Sequence, residues 1–450
     1  MAAKRGCSPE LVSNPYIKKE NLEWTFDLSH PAHDSSEDDG YDVAEEHGLR
    51  VDKESSRASA VEAGKAKVED YLGYFSGLLK GAILSPFPPD SPRLSINAYQ
   101  ELYERNSGNP QGAHFIVHQH DHPIAGTHYD LRLQINETSS ASWAIMYGLP
   151  GDPNSQRLNR NATETRIHCL WNHLIETASI STGSLLIWDT GTYNILPPRE
   201  STKRANLNSQ SDDEEEDSKL TEQEKLHQAF QARKIRIRLN GTRLPHDYVL
   251  NLRLTKEEDV AGRAKSTRTP TRRRRRGAPV QGRGSARGKG KRKAAEIDTN
   301  SDSDPDEEAT GSEESGIVTA PAEEVGLEDV STMEREIREL EDEQVRRTNA
   351  YPGAENSIGS VHQRRWYLSL DREACGFSRR RKAGRVVWEA RDVERGGDSD
   401  DNENRLTFPF YVRGAEIERS VVTGRTGTDV LKDEEVVGHV ARKGWRPVLN

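Results

Sequence analysis

The chain has 450 residues, of which 33% are hydrophobic and 31% charged, and its formal net charge is -10. A chain this polar cannot bury enough apolar surface along its whole length to offset the conformational entropy of ordering it. The composition therefore excludes two or three ordinary domains and predicts one modest folded core with long disordered tails and insertions.

The cysteine count and the absence of long apolar segments exclude two further classes of protein. Cys7, Cys169 and Cys375 are far apart, so a disulfide framework and a cysteine zinc site are both excluded. No stretch approaches the roughly 18 apolar residues of a membrane span, and residues 1–12 contain no apolar signal region. We expect a soluble intracellular protein with no membrane partner.

The N-terminal residues 1–64 are polar and are predicted to form a disordered arm. Residues 65–96 follow as a lead-in in which apolar side chains recur at helical spacing, at Val68, Leu72, Phe75 and Leu79. This spacing predicts one helix that ends before the Pro-rich run 85–92.

Short apolar runs between residues 97 and 255 indicate the folded core. The runs are 114–118, 128–135, 142–146, 184–189, 234–239 and 248–254, and turn residues separate them. Polar and apolar side chains alternate in residues 128–133, as they do in a half-buried strand. An acidic insertion at about 205–222 interrupts the series. The pattern predicts a mainly β fold, a small antiparallel β-barrel with short helices.

A long excursion follows the core. Residues 256–360 combine a basic and an acidic block and are predicted to be a disordered insertion with a short helix near 333–345. Residues 361–377 contain an isolated strand pattern, which is expected to close the barrel. Residues 378–450 form a polar C-terminal extension that is expected to be partly ordered.

Two basic clusters in this insertion are typical of nuclear import signals. They comprise Arg272, Arg273, Arg274, Arg275, Arg276, Lys289, Lys291, Arg292 and Lys293. An import receptor recognises such clusters in an exposed segment, and the same charges attract DNA without reading its sequence. We therefore expect a nuclear location.

Histidines and one carboxylate are concentrated at the start of the core. Five of the 14 histidines lie in residues 114–128, and His128 shares a strand face with Asp130 and Arg132. Two imidazoles and a carboxylate that converge can hold a divalent metal, with His120 or His168 as the second imidazole. Hydrogen-bonded polar side chains on a half-exposed strand are the plainer interpretation.

Two chemistries remain open for such a metal site. The first is a two-histidine-one-carboxylate iron oxygenase, which is weakened because no Lys or Arg lies in residues 170–197 to hold an oxoacid. The second is phosphoryl chemistry, in which Arg132 and Arg160 offer guanidinium forks to a phosphate beside the metal. The arginine on the metal-bearing face favours the anionic substrate.

The motifs of the core resemble the 3′-phosphoesterase domain of bacterial DNA ligase D. Residues 114–133 (HFIVHQHDHPIAGTHYDLRL) are similar to the two strands that open that domain. The segments that follow in the same order are similar as well: 142–144 (SWA), 184–193 (SLLIWDTGTY), 234–244 (KIRIRLNGTRL), 248–254 and 365–370. The resemblance covers about 150 residues in three pieces.

The resemblance implies a metal-dependent phosphoesterase that trims DNA 3′ ends in repair. Such an enzyme removes a 3′-terminal ribonucleoside, a 3′-phosphate or both, and leaves a 3′-OH. His120, His128 and Asp130 fall on the metal ligands, Arg132 and Arg160 on phosphate-binding arginines, and His168 on a catalytic histidine. The family implies Mn²⁺, and the nitrogen and oxygen ligands leave Zn²⁺ and Fe²⁺ open. The implied partners are DNA 3′ ends in primer-templates or nicked DNA, and repair proteins.

The sequence departs from the family pattern at two positions. Asn172 stands where the family has a tyrosine, and Tyr147 stands where it has a lysine. The loop between His120 and His128 is also longer by two residues. An alternative is therefore a catalytically impaired module that binds 3′ ends. The long charged insertions, with no polymerase or ligase motif beside the domain, indicate a stand-alone eukaryotic version of fungal type.

Overall fold

The computed structural model describes residues 68–198, 220–266, 343–382, 384–391 and 404–449, together with Val61 and Ala66. The predicted arm up to residue 60, most of the acidic insertion and both basic clusters of residues 272–293 lie outside the described residues.

The strands are β1 (His114–His122), β2 (Gly126–Gln134), β3 (Ser139–Ile145), β4 (Arg160–Glu164), β5 (His168–Cys169), β6 (Thr177–Ser179), β7 (Gly183–Ile195), β8 (Lys234–Gly241), β9 (Val249–Arg253), β10 (Arg365–Leu370), β11 (Phe377–Lys382) and β12 (Arg385–Ala390). The helices are α1 (Tyr71–Gly81), α2 (Ile96–Asn106), α3 (Glu222–Gln231), α4 (Lys256–Ser266), α5 (Glu343–Thr348) and α6 (Gly427–Asp433), with a 3₁₀ helix at Leu170–Leu174. Among the described helices, none is long and apolar enough to cross a membrane.

Eight antiparallel strands close into a barrel in the order β1-β2-β3-β4-β10-β9-β8-β7, and β7 pairs back with β1. β5 adds to β3 and β6 adds to β7 outside this circuit. The mainly β barrel that the sequence predicts is confirmed, as is the closing strand at residues 365–370, which lies between β4 and β9.

The two faces of the barrel wall carry different side chains. The interior contains Trp143, Trp188 and Trp366, which are fully buried among aliphatic residues from every strand of the circuit. On the outside of β1 and β7, Ile116 and Ile187 pack against α1 and α2. The predicted helix is confirmed as α1, where the Asp70 side chain caps the N-terminus by accepting a hydrogen bond from Gly73 N.

A buried ion pair fastens β10 to β4. The Glu164 carboxylate is fully buried and accepts two hydrogen bonds from Arg364, from Nε at 2.8 Å and from Nη2 at 3.1 Å. It also accepts hydrogen bonds from Trp366 Nε1 and Val361 N. Four donors to one carboxylate satisfy it fully, which is what a buried charge requires.

Both ends of the insertion that was predicted to be disordered have defined structure. Residues 256–266 are helical, and residues 343–360 pack on the barrel through Ala350 and Ile358. Asn349 accepts a hydrogen bond from the buried Arg166, and its amide N donates to Thr165 O and Ser360 Oγ. The predicted helix near 333–345 is described only from Glu343 onwards.

The C-terminal extension contributes to the core as well. Phe410, Val412 and Val430 join the interior cluster, whereas Val421 and Val422 pack with the outer helices. Arg425 forms a buried ion pair with Glu176, at 3.0 Å. Residues of the described segment 404–449 of this extension therefore belong to the core.

We expect Glu164→Ala to lower the free energy of unfolding by about 3–5 kcal/mol, because it removes the main counter-charge of a buried guanidinium. Urea unfolding followed by tryptophan fluorescence measures this change. Glu389→Ala is the matched control, because Glu389 pairs with exposed cations, and it should leave the midpoint nearly unchanged. Equal urea midpoints for Glu164→Ala and wild type would show that this carboxylate does not stabilise the barrel.

We further expect residues 267–342 to be replaceable by a Gly/Ser linker without loss of fold, because loop-closure entropy grows only slowly with length. Replacing 256–363 instead should yield insoluble or unfolded protein, because that change removes Ala350 and Ile358 from the core. Solubility and thermal unfolding of the two variants check this. A folded protein after the larger deletion would show that residues 343–360 are dispensable.

Candidate metal centre

The pairing of β1 with β2 gathers polar side chains on the outer face of the barrel. His120 lies opposite His128, and His118 lies opposite Asp130. Tyr129 and Leu131, which alternate with these residues, fill the interior. The outer face is nevertheless shielded, and His128 and Asp130 are both buried.

The two imidazoles face one carboxylate. His120 Nδ1 lies 3.6 Å from Asp130 Oδ2, and His128 Nε2 lies 3.5 Å from Asp130 Oδ1. One ligand atom from each of the three residues lies within 4.8 Å of the others, a grouping that can hold a metal ion. This is the trio that the family resemblance implies.

Backbone carbonyls fix the orientation of both imidazoles. His120 Nε2 lies 2.8 Å from Thr182 O, and His128 Nδ1 lies 2.8 Å from Gly126 O. A carbonyl only accepts hydrogen bonds, so these two nitrogens must carry the protons. The other nitrogen of each ring faces the carboxylate. Metal-binding histidines show this same arrangement, in which one nitrogen donates to the protein and the other is left for the ion.

The charge state of the trio fits a cation between them. Burial lowers the pKa of His128, which favours the neutral imidazole with a lone pair towards Asp130. Burial raises the pKa of Asp130, but His128, His120 and Arg132 outweigh it and hold that pKa well below its usual range. An ionised carboxylate and two imidazole lone pairs are mixed nitrogen and oxygen donors that suit Mn²⁺, Zn²⁺ or Fe²⁺.

Two further predicted residues share this face. Arg132 Nη2 lies 3.6 Å from Asp130 Oδ2, and the Arg132 side chain is buried. His168 pairs with Ser140 across β5 and β3, which places it on the same face as Arg132. Burial lowers the pKa of the half-buried His168, and the charge of Arg132 lowers it further, whereas Asp130 partly offsets both. The structure thus brings His168 and Arg132 to the trio.

Arg160 lies on the other face of the wall. It is paired with Leu368 and lies two residues before Ala162, and both of these residues belong to the interior cluster. Its guanidinium donates to Arg157 O, and burial lowers its pKa whereas Tyr248 raises it. The structure does not bring Arg160 together with Asp130.

Three buried polar residues on the same face as the trio were not identified from the sequence. Both ring nitrogens of His118 and the hydroxyls of Ser140 and Ser142 are buried without a hydrogen-bond partner. Burial is the largest cause that lowers the pKa of His118. The charge of Arg132 lowers this pKa further, and that of Asp130 raises it. A signal was present in the sequence, because His114, His118, His120 and His122 occupy even positions and therefore one face of β1.

The C-terminal extension forms one edge of this region. Arg442 Nη1 donates to Ile124 O in the turn between β1 and β2, and Trp445 Nε1 donates to Met146 O after β3. His439 Nε2 lies 3.7 Å from Asp121 Oδ2. The two departures from the family pattern lie apart, because Tyr147 is exposed after β3 and Asn172 is buried in the 3₁₀ helix.

Comparison with known proteins gives one family. No curated protein matches the chain. A family model, DNA ligase D 3′-phosphoesterase domain, matches residues 118–252, which include the trio and both candidate catalytic residues beside it. This match to residues 118–252 confirms the resemblance that the motifs indicate.

Proposed function

We propose that the protein is a metal-dependent phosphoesterase that removes a 3′-phosphate, a 3′-terminal ribonucleoside or both from DNA and leaves a 3′-OH. The observation that carries the proposal is the arrangement of His120 and His128, each with one nitrogen on a backbone carbonyl and the other towards Asp130. The family match supplies the substrate class.

His120, His128 and Asp130 would hold the divalent metal, which would supply Lewis-acid polarisation of the phosphoryl group. Arg132, held beside Asp130, would bind the non-bridging oxygens, which gain charge in the transition state. His168 would donate a hydrogen bond to the leaving oxygen from the neighbouring strand. The buried surroundings strengthen both interactions because they exclude water.

The partners and location of the protein follow from the proposed substrate. The 3′ ends of primer-templates or nicked duplexes are the proposed ligands, and DNA repair is the proposed setting. The basic clusters at 272–276 and 289–293 are proposed to direct nuclear import and to attract DNA, on the sequence alone.

The first test uses a labelled primer-template that ends in a 3′-phosphate or in one 3′-ribonucleotide. After chelation and dialysis, the protein should release a 3′-OH product only when Mn²⁺ or another divalent cation is restored. His128→Ala and Asp130→Ala should each lose at least about 100-fold in rate and lose Mn²⁺ binding measured by calorimetry. His227→Ala, an exposed histidine of α3, is the matched control and should keep both.

Two outcomes of this test would contradict the proposal. Wild-type protein that binds the 3′ end and Mn²⁺ but gives no product would identify the alternative, a binding module that has lost turnover. Full activity in His128→Ala, with the fold confirmed by circular dichroism, would show that the trio is not the metal centre.

The second test separates the two arginines. Arg132→Ala should reduce kcat by about 100- to 1,000-fold, because it removes a donor to the transition state, and Arg132→Lys should restore little. Arg160→Lys, which keeps the charge on the other face of the wall, should stay within a few-fold of wild type. Single-turnover rates at saturating substrate measure both. A loss in folded Arg160→Lys equal to that of Arg132→Lys would place Arg160 at the phosphate, as the family resemblance implies.

A further inference from the structure

The strands β11 and β12 form a basic two-stranded ribbon, defined here as residues 377–382 and 385–390, beyond the part of the chain that matches the family. They pair from Phe377↔Ala390 to Lys382↔Arg385. The ribbon carries five cations and one acid, and these are Arg379, Arg380, Arg381, Lys382, Arg385 and Glu389. A surface with so dense a positive charge fits a polyanion.

The outer part of the ribbon is exposed. All five cations are exposed, and the side chains of Arg380 and Lys382 keep 59% and 66% of their accessible surface. Glu389 pairs with both of these residues. In the part of the chain that the structure describes, no carboxylate pairs with Arg379, Arg381 or Arg385, so these three are the cations available to a ligand.

The base of the ribbon is fixed to the barrel. The Asn154 side chain donates to Trp388 O at 2.9 Å and accepts from Trp388 N at 2.8 Å. Arg372 lies over the Trp388 ring, and Phe377 packs edge-on against Phe408. A ribbon held at its base and exposed at its tip is pre-oriented, so binding costs less conformational entropy than it would for a flexible basic tail.

The ribbon starts at the same end of the barrel as the candidate metal centre. The C-terminal end of β1, with His120, meets the N-terminal end of β2, and the C-terminal end of β3 lies beside it. β4 begins at that end with Arg160, which is opposite Leu368 near the C-terminal end of β10. The chain leaves β10 there and enters the ribbon. A nucleic acid whose 3′ end lies at Asp130 can therefore extend towards the end of the barrel at which the ribbon begins.

We propose that the ribbon binds the duplex that adjoins the 3′ end, through phosphates contacted by Arg379, Arg381 and Arg385. The choice of DNA rests on the proposed function, and the geometry favours a duplex because a two-stranded ribbon fits the major groove of B-DNA, about 12 Å wide. Phosphate contacts position a protein on DNA without reading its sequence. The ribbon thus binds the duplex while the metal centre processes its 3′ end.

The test compares wild type with the triple variant Arg379→Gln/Arg381→Gln/Arg385→Gln, which keeps both ion pairs of Glu389. Binding of a fluorescent duplex with a recessed 3′ end should weaken about 10-fold or more at about 100 mM salt. The slope of log affinity against log salt should fall in magnitude by about 2.7, because each lost phosphate contact contributes about 0.9. Affinity for a single-stranded oligonucleotide should change by less than the duplex affinity.

The matched control removes three exposed cations at the opposite end of the barrel, in Lys234→Gln/Lys256→Gln/Arg365→Gln. All three proteins keep the basic clusters of residues 272–293, so differences between them isolate the ribbon. A ribbon variant with wild-type duplex affinity and slope would overturn the proposal, and so would an equal loss in the control. Binding is measured on a 3′-OH duplex, so the result stands apart from turnover. A protein without 3′-end processing whose ribbon variant still loses duplex binding would fail only the proposed function.

Discussion

The register of β1 against β2, with His120 opposite His128, is the constraint on which the core and the candidate metal centre both depend. In this register Val117, Tyr129 and Leu131 face the barrel interior, whereas the histidines and Asp130 face outwards. A slip of one residue between the strands would exchange the two faces and place the carboxylate in the hydrophobic core. The apolar burial that stabilises the barrel therefore also fixes the positions of the metal ligands.

The outward face is polar but buried, because segments beyond the family match cover it. Tyr99 of α2 donates to His173 O, Arg425 pairs with Glu176, and the C-terminal extension reaches the β1–β2 turn. Buried polar groups without partners each cost about 1–3 kcal/mol. His118, Ser140 and Ser142 are such groups, and they lie opposite Asp130, His168 and Arg132 respectively. Their unmet hydrogen-bonding capacity lies on the face of the wall that carries the trio.

The sequence predicted the features that follow from periodicity or from contiguous motifs. The helix α1, the alternation of β2, the closing strand β10 and the trio all belong to this class. The position of Arg160 could not be predicted, because a spacing of eight residues before His168 fixes its place in the chain but not its strand face. The sequence predicted a partly ordered C-terminal extension, but not that residues 343–360 and 404–449 contribute to the core. Their few apolar side chains enter the core at irregular spacing, and their other contacts use backbone carbonyls and buried ion pairs.

The arginines of the structure fall into two groups according to their partners. Some form ion pairs that stabilise the fold, and Arg132 lies at the candidate metal centre. Arg364, Arg243 and Arg425 each lie within 3.2 Å of a buried carboxylate from a distant part of the chain. These pairs join the family-matched strands to the segments that surround them, and breaking one leaves a buried charge. Arg132 shares Asp130 with two imidazoles at 3.5–3.6 Å, so a single carboxylate faces three cationic or metal-binding groups. The local net charge there is positive once a divalent ion is bound, and a positive net charge attracts an anionic ligand.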